Sequence, residues 1–253
     1  MGVFPVVSVI MPNYNGARFI SQTIEAVLAQ SFADLELIIA DDCSGDESAA
    51  IISDYASRDN RVKLLRLSKN SGVSAARNAA IAKARGEFLA FCDSDDIWLP
   101  NKLEKQLEFM KKGGYAFSFT EFQMIDEQNK VIKERVICPA VVDYERLITG
   151  NPIMCSSVLI NVKRTGKFTV PDFALAQDYA TWAGLMKVKK IKAYCTGTVL
   201  AQYRKGRESL SADKARAFKY TWRINKSFLK LSLVKNVYVN FIYMFRWVRK
   251  HYF

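Results

Sequence analysis

The chain has 253 residues, half of them hydrophobic and a quarter charged; this is ordinary globular composition, long enough for a full core, and it excludes a disordered or fibrous polypeptide. The net charge is +12, but ten Lys/Arg and no Asp or Glu lie between Lys214 and Phe253, so the rest of the chain carries only +2. Five cysteines without a C-x-x-C pair argue against a disulfide framework or zinc site and fit a reducing compartment, and no stretch offers the ~18 apolar residues of a membrane span.

Met1 to Pro5 shows neither the basic nor the apolar region of a secretory signal. Gly2 lacks a myristoylation context, because Val6 stands where Ser or Thr is wanted. Val6 to Met11 reads as a short buried strand, and Ile20, Ile24, Val27 and Leu28 then recur at helical spacing. Leu35 to Ala40 is a second strand. Ser44-Gly45-Asp46-Glu47 has the spacing of a capping box and predicts a helix through Ile51, Ile52 and Tyr55. Val62 to Leu67 is a third strand, followed by a helix over Val73 to Arg85 with Gly86 as its stop. Phe88 to Cys92 is the fourth strand, and Pro100 suits the first turn of the next helix. This alternation predicts a doubly wound, parallel α/β sheet.

The fourth strand runs into Asp93-Ser94-Asp95-Asp96. In an extended chain Asp93 and Asp95 project to one side. Two such carboxylates suit a hard cation, Mg²⁺ or Mn²⁺, which in turn binds a diphosphate. Taken alone the pattern is equally an acidic surface turn. Asp96 is expected on the other face, capping the helix near Pro100. Asn13-Tyr14-Asn15, Asp41-Asp42 and Lys69-Asn70-Ser71-Gly72 also follow strands. Ligands of such sheets bind beyond the carboxyl ends of the strands, so four segments converge on one crevice.

After residue 113 the pattern becomes mixed. Tyr115 to Phe122 and Val131 to Ile137 predict a strand pair, and Cys155 to Ile160 a further strand. Ala176 to Lys187 is helical with Tyr179, Trp182 and Met186 on one face, and Ile191 to Leu200 is extended. The expected organisation is one domain over 1–212, with a first half (1–112) and a mixed second half (113–212) that reads as a substrate-binding elaboration, then a basic, aromatic helical tail over 213–253.

Together, Val7-Ser8-Val9-Ile10-Met11-Pro12-Asn13-Tyr14-Asn15, Ile39-Ala40-Asp41-Asp42-Cys43-Ser44, Asn70-Ser71-Gly72-Val73-Ser74-Ala75-Ala76-Arg77-Asn78, the Asp93 cluster and Gln177-Asp178-Tyr179 resemble family 2 inverting glycosyltransferases of the GT-A fold. The match runs from about Val7 to Ser211. The resemblance implies a parallel central sheet with a smaller mixed acceptor-side sheet and C-terminal helices. It places a nucleotide sugar on Pro12, Tyr14, Asn15, Asp41, Asp42, Asn70, Gly72, Arg77, Asp93 and Ser94. Tyr14 is expected to stack on the base and Asp42 to read it; one of Asp41 and Asp42 alternatively caps the following helix. Arg77 faces a phosphate or carboxylate, or forms an ion pair under the acidic cluster. Asp95, with Asp93, is expected at a Mn²⁺ or Mg²⁺ ion that stabilises the leaving diphosphate.

Asp178 maps to the catalytic base, although a first-turn acid also suits the helix dipole. The usual Glu before it is replaced by Gln177. Beyond Tyr203-Arg204, Lys205 and Arg207 stand where relatives often carry His; with Ser211 they are candidates for the diphosphate, while the single histidine, His251, is far off in the tail.

The resemblance implies transfer of one sugar from a nucleotide-linked donor, expected to be UDP-linked, to a hydroxyl of a lipid-linked or oligosaccharide acceptor in cell-surface polysaccharide synthesis. A sugar nucleotidyltransferase would carry a Gly-rich basic first loop, which Pro12 to Gly16 lacks. A non-catalytic sugar- or lipid-binding scaffold would not need Asp93, Asp95 and Asp178. The tail, where cations interleave with aromatics such as Trp222, Tyr238 and Phe241, suits an anionic membrane surface; packing on the catalytic domain is the other reading, and no nucleic-acid motif accompanies it. A cytoplasmic enzyme on the inner face of the membrane is expected.

Overall fold

A computed structural model of the chain describes residues 5–206 and 214–252. Strands β1 (Val7–Asn13) and β2 (Leu35–Asp41) are buried at every position. Both faces of the sheet are covered, which is why these strands read as nearly continuous apolar runs. β3 (Val62–Arg66) and β4 (Phe88–Phe91) complete a parallel unit, with α1 (Ile20–Leu28), α2 (Ser48–Arg58) and α3 (Val73–Lys83) as crossovers. Asn13 lies opposite Asp41, and Ile10 opposite Phe91. The register therefore brings the loops after β1, β2 and β4 to one edge.

The second half contributes β5 (Ile97–Trp98), α4 (Lys102–Gly113), β6 (Phe117–Ile125), β7 (Val131–Val136), β8 (Val141–Val142), α5 (Tyr144–Ile148), β9 (Leu159–Asn161), α6 (Val162–Thr165), α7 (Gln177–Lys189) and β10 (Ala193–Arg204). The described strands form one ten-stranded sheet, in the order β3-β2-β1-β4-β9-β6-β10-β5, with β7 on β6 and β8 on β10. β9 runs antiparallel to both β4 and β6 and joins the parallel strands to the mixed ones. The mixed strands of the second half are thus an extension of the central sheet.

Alternation along each strand feeds two cores. Val9, Leu37 and Ile39 meet Ile24 of α1, Ile52 of α2 and Leu103 of α4. Ile10, Ile38 and Phe91 meet Ala80 of α3 and Trp182 of α7. The Trp182 ring stands edge-on to Phe91 and Phe117, at 5.2 and 5.3 Å between centroids. The C-terminal α8 (Lys214–Arg223), a π-helical turn (Ile224–Phe228) and α9 (Leu233–Tyr252) pack on this second face. Ile224, Leu229 and Val239 join its core. The Tyr179 hydroxyl donates to Asn225, and Lys235 pairs with Glu145. On its other side α9 exposes Val237, Tyr238, Phe241 and Phe245.

Three local expectations are corrected. The Ser44–Glu47 capping box does not form: α2 starts at Ser48 without a side-chain cap, and the Ser44 hydroxyl donates to Asp41. Gly86 does not stop α3, which ends at Lys83; a Cβ at Gly86 would lie 2.6 Å from the Ser8 nitrogen, so glycine admits the neighbouring strand. Cys155 to Ser157 is a 3₁₀ turn, and extended structure begins at Leu159.

Candidate active site

The crevice is built first by carboxylates that fasten loops. Asn13, at the end of β1, donates through Nδ2 to Asp41 (2.8 Å) and Ser48 (3.0 Å). Asp41 also accepts from the backbone and hydroxyl of Ser44 and is fully buried. A Cβ at Gly16 would lie 2.2 Å from Asn13 Oδ1, so only glycine lets the β1 loop fold over this amide. Asp42 turns to a different loop. Its two oxygens accept from the backbone nitrogens of Ser71 (2.8 Å) and Gly72 (2.7 Å). Gly72, at φ +87°, holds a conformation natural only to glycine. Asn15 bridges the loops as well, accepting from the Gly45 nitrogen and donating its own backbone N–H to Ser44.

Beyond these fastenings lies a cavity of about 890 Å³ whose walls include Tyr14, Arg77, Asp93, Asp95 and Asp178. Of the residues expected at the nucleotide, Tyr14, Arg77 and Asp93 stand on this cavity. Pro12 is buried in β1 opposite Ala40, Asn70 and Gly72 lie on an exposed loop, and Asn15, Asp41, Asp42 and Ser94 are likewise off its walls.

Arg77, on α3, is buried and pairs with Asp93 at 2.5 Å. Its Nε and Nη1 have no protein partner. Burial opposes the guanidinium charge, but the Asp93 carboxylate outweighs it and the pKa is raised, so Arg77 stays cationic. One nitrogen thus serves the ion pair while the other two are buried without a protein partner.

The acidic cluster is a turn beyond β4. The Asp93 nitrogen donates to Ser156 Oγ (3.0 Å), and Ser156 in turn donates to Asp96. The Arg204 backbone nitrogen donates to Asp96 (3.0 Å), and its Nε to the Asp95 carbonyl (2.7 Å). Asp96 therefore does not cap the helix near Pro100. It is buried and tied to residues 60 and 108 positions away. Asp95 opens to solvent on the cavity side and is ringed by protein elsewhere. Burial first, then the Asp93 charge, push its carboxyl up to about 6.

Among the described residues no cluster of three or more His, Cys, Asp or Glu forms a closed metal cage. Asp93 and Asp95 beside open space nevertheless match the donor set of a Mg²⁺ or Mn²⁺ that completes its shell with phosphate oxygens and water. A cation there would also relieve the repulsion that raises Asp95.

Asp178 sits in the first turn of α7, after Ala176 at φ +55°. Its carboxylate accepts from Asn151 Nδ2 (3.2 Å). Burial raises its pKa above the ordinary value, an effect moderated by its backbone hydrogen bonds and by Arg77. Asn151 and Ser156 were not singled out in the sequence, since each gains meaning only from a partner distant in the chain. Lys205 is exposed, and Arg207 and Ser211 lie outside the described residues.

The profile of Glycosyl transferase family 2 matches residues 8–174. The chain belongs to that family. It is a glycosyltransferase, of the kind found in surface-polysaccharide synthesis. It is 38% identical over 231 residues to TuaG of Bacillus subtilis (strain 168), named as a candidate teichuronic acid biosynthesis glycosyltransferase, covering 91% of each chain. It is 33% identical to WfgD of Escherichia coli, a UDP-Glc:alpha-D-GlcNAc-diphosphoundecaprenol beta-1,3-glucosyltransferase, over 98% of this chain and 96% of that protein. Among solved structures, residues 1–349 of S. aureus TarS in complex with UDP-GlcNAc superpose with a TM-score of 0.69 at 20% identity, over 94% of this chain and 70% of that one. The family's GT-A architecture is therefore the fold of this chain. No helix among the described residues is long and apolar enough to cross a membrane.

Proposed function

We propose that the chain is a metal-dependent, inverting transferase that moves one sugar from a UDP-sugar to a hydroxyl of a diphosphate-lipid-linked acceptor. One observation carries the reading: Asp178 shares a cavity with Arg77 and the Asp93–Asp95 turn. Leaving-group and attacking sides of a displacement can thus be served within one cavity. The name of WfgD, with its UDP donor and diphosphoundecaprenol acceptor, supports the donor and acceptor classes.

Each step falls to a named group. The Tyr14 ring, exposed at the rim, offers a face for the base. Asp42 holds the Ser71–Gly72 loop at the head of the helix that carries Arg77. Arg77 keeps Asp93 in place and presents positive charge to the diphosphate. A Mg²⁺ or Mn²⁺ held by Asp93 and Asp95 would supply Lewis-acid neutralisation of the departing UDP. Asp178, held by Asn151, accepts the acceptor hydroxyl's proton as that oxygen attacks the anomeric carbon. The new glycosidic bond forms as the carbon–oxygen bond to the diphosphate breaks, and its electron pair leaves with UDP. A single displacement inverts the anomeric centre.

The test is to incubate the protein with a panel of UDP-sugars, Mn²⁺ and undecaprenyl-diphosphate-linked N-acetylglucosamine, and to measure UDP release. Asp178→Asn is expected to lower kcat at least about a thousandfold while UDP binding stays within twofold. Full activity in that variant removes Asp178 as base, and release or consumption of pyrophosphate would instead mark a nucleotidyltransferase.

The outward face of α9 supports peripheral membrane contact. Val237, Tyr238, Phe241 and Phe245 form an exposed apolar strip on a segment that carries most of the chain's net positive charge. This arrangement suits an enzyme whose acceptor is anchored in an anionic bilayer.

A further inference from the structure

The cavity has a wall that the family profile does not reach. Thr221 of α8 and Asn240 and Tyr243 of α9 line it, all beyond the matched residues 8–174. Facing them is the loop over Gly150 to Met154, which carries Asn151, the partner of Asp178. A Cβ on Gly150 (φ +138°) would lie 3.4 Å from Tyr243 Cδ2, so the tyrosine ring rests against the loop that orients the base. Asn236, Asn240 and Tyr243 recur at helical spacing and turn away from the exposed strip through Tyr238 and Phe241.

Asn240 is only 5% exposed. Its Nδ2 donates to the carbonyl (2.7 Å) and side-chain oxygen (2.8 Å) of Asn236. Its Oδ1 has no hydrogen-bond partner. A buried amide oxygen left without a donor is costly, and such orphans call for an explanation. An oxygen acceptor repels phosphate and welcomes a hydroxyl. An aromatic ring beside it suits the apolar C–H face of a pyranose. The combination selects a neutral, polyhydroxylated ring rather than an anion.

We propose that α9 forms one wall of the acceptor subsite, where Asn240 accepts a hydrogen bond from a hydroxyl of the acceptor's terminal sugar and Tyr243 stacks on that sugar. The C-terminal helices then help to decide which acceptor is taken. The inference rests on the reading of the cavity as the place where donor and acceptor meet.

The test compares wild type with Asn240→Leu, Tyr243→Ala and the conservative Tyr243→Phe, all as full chains, with undecaprenyl-diphosphate-linked N-acetylglucosamine in detergent as the acceptor probe. In Asn240→Leu and Tyr243→Ala the acceptor KM is expected to rise at least tenfold, with UDP-sugar KM and acceptor-free UDP release within twofold of wild type. Tyr243→Phe retains the wild-type acceptor KM, which a purely hydroxyl-mediated structural role would not allow. An unchanged acceptor KM in both disruptive variants overturns the proposal, as does an equal loss of donor and acceptor affinity. The same probe is also titrated into UDP-loaded protein, with binding followed by intrinsic fluorescence. Binding by wild type that the two variants lose, without sugar transfer, sustains the subsite while removing the transferase reading. Equal binding by all variants, or binding by none, overturns the subsite.

Discussion

The acidic turn shows how one residue's environment sets conflicting demands. Asp95 has a folded pKa near 6, against an ordinary 3.8, because of burial and the adjacent Asp93 charge. The folded chain therefore holds the Asp95 proton more tightly than the unfolded chain. By linkage, its contribution to stability falls as pH rises from about 4 to about 6 and stays low above that. Asp95→Asn removes the repulsion. After discounting for solvent on the cavity side, the melting temperature at pH 7.5 is expected to rise by about 2–4 °C. The gain should vanish toward pH 4, and transfer activity should be lost, as scanning calorimetry and UDP release would show. In wild type, kcat/KM is expected to fall on the acid side with an apparent pKa above that of an ordinary carboxylate, because the raised Asp178 becomes protonated. An acidic limb at the ordinary carboxylate value would contradict that assignment.

Elements matter here through what joins them. Asp41 ends β2 and Asp42 follows it, yet one fastens the β1 loop and the other the loop before α3. Asp42→Ala deletes two charge-assisted hydrogen bonds to backbone and is expected to cost about 2–3 kcal/mol in urea unfolding. Donor KM should rise at least tenfold with acceptor KM unchanged. The strand and helix order was legible in the sequence because buried strands and one-sided helices leave different apolar periods. The crevice was legible because polar residues followed each parallel strand. Interactions between loops were not. Ser44 has a capping residue's spacing, but Asp41 captures its hydroxyl. Asp96 looks like a helix cap, but Ser156 and Arg204 come from the far half of the chain. Local pattern carries no information about such partners. The acceptor wall was equally hidden, because α9 has aromatic residues all round and only packing shows which face turns inward.

At the scale of the molecule, charge and apolar surface are segregated. The catalytic body is nearly neutral in net charge, while the C-terminal segment carries most of the net positive charge and the exposed aromatic strip. Replacing Tyr238 and Phe241 together by Glu is expected to weaken co-sedimentation with anionic vesicles by at least about tenfold. Those side chains support no core contact, so the melting temperature should move by less than about 2 °C. Wild-type vesicle binding in the double variant would refute the membrane reading.

α9 is one helix with two audiences. Its inner side closes the cavity and its outer side is bare, and a helix with its side chains is about 10–12 Å thick. Whatever surface receives the outer side is held at that spacing from the cavity, so α9 acts as a gauge. On the membrane reading, sugars lying close to their anchor would come within range of Asp178 more readily than the tip of a long, outgrown chain.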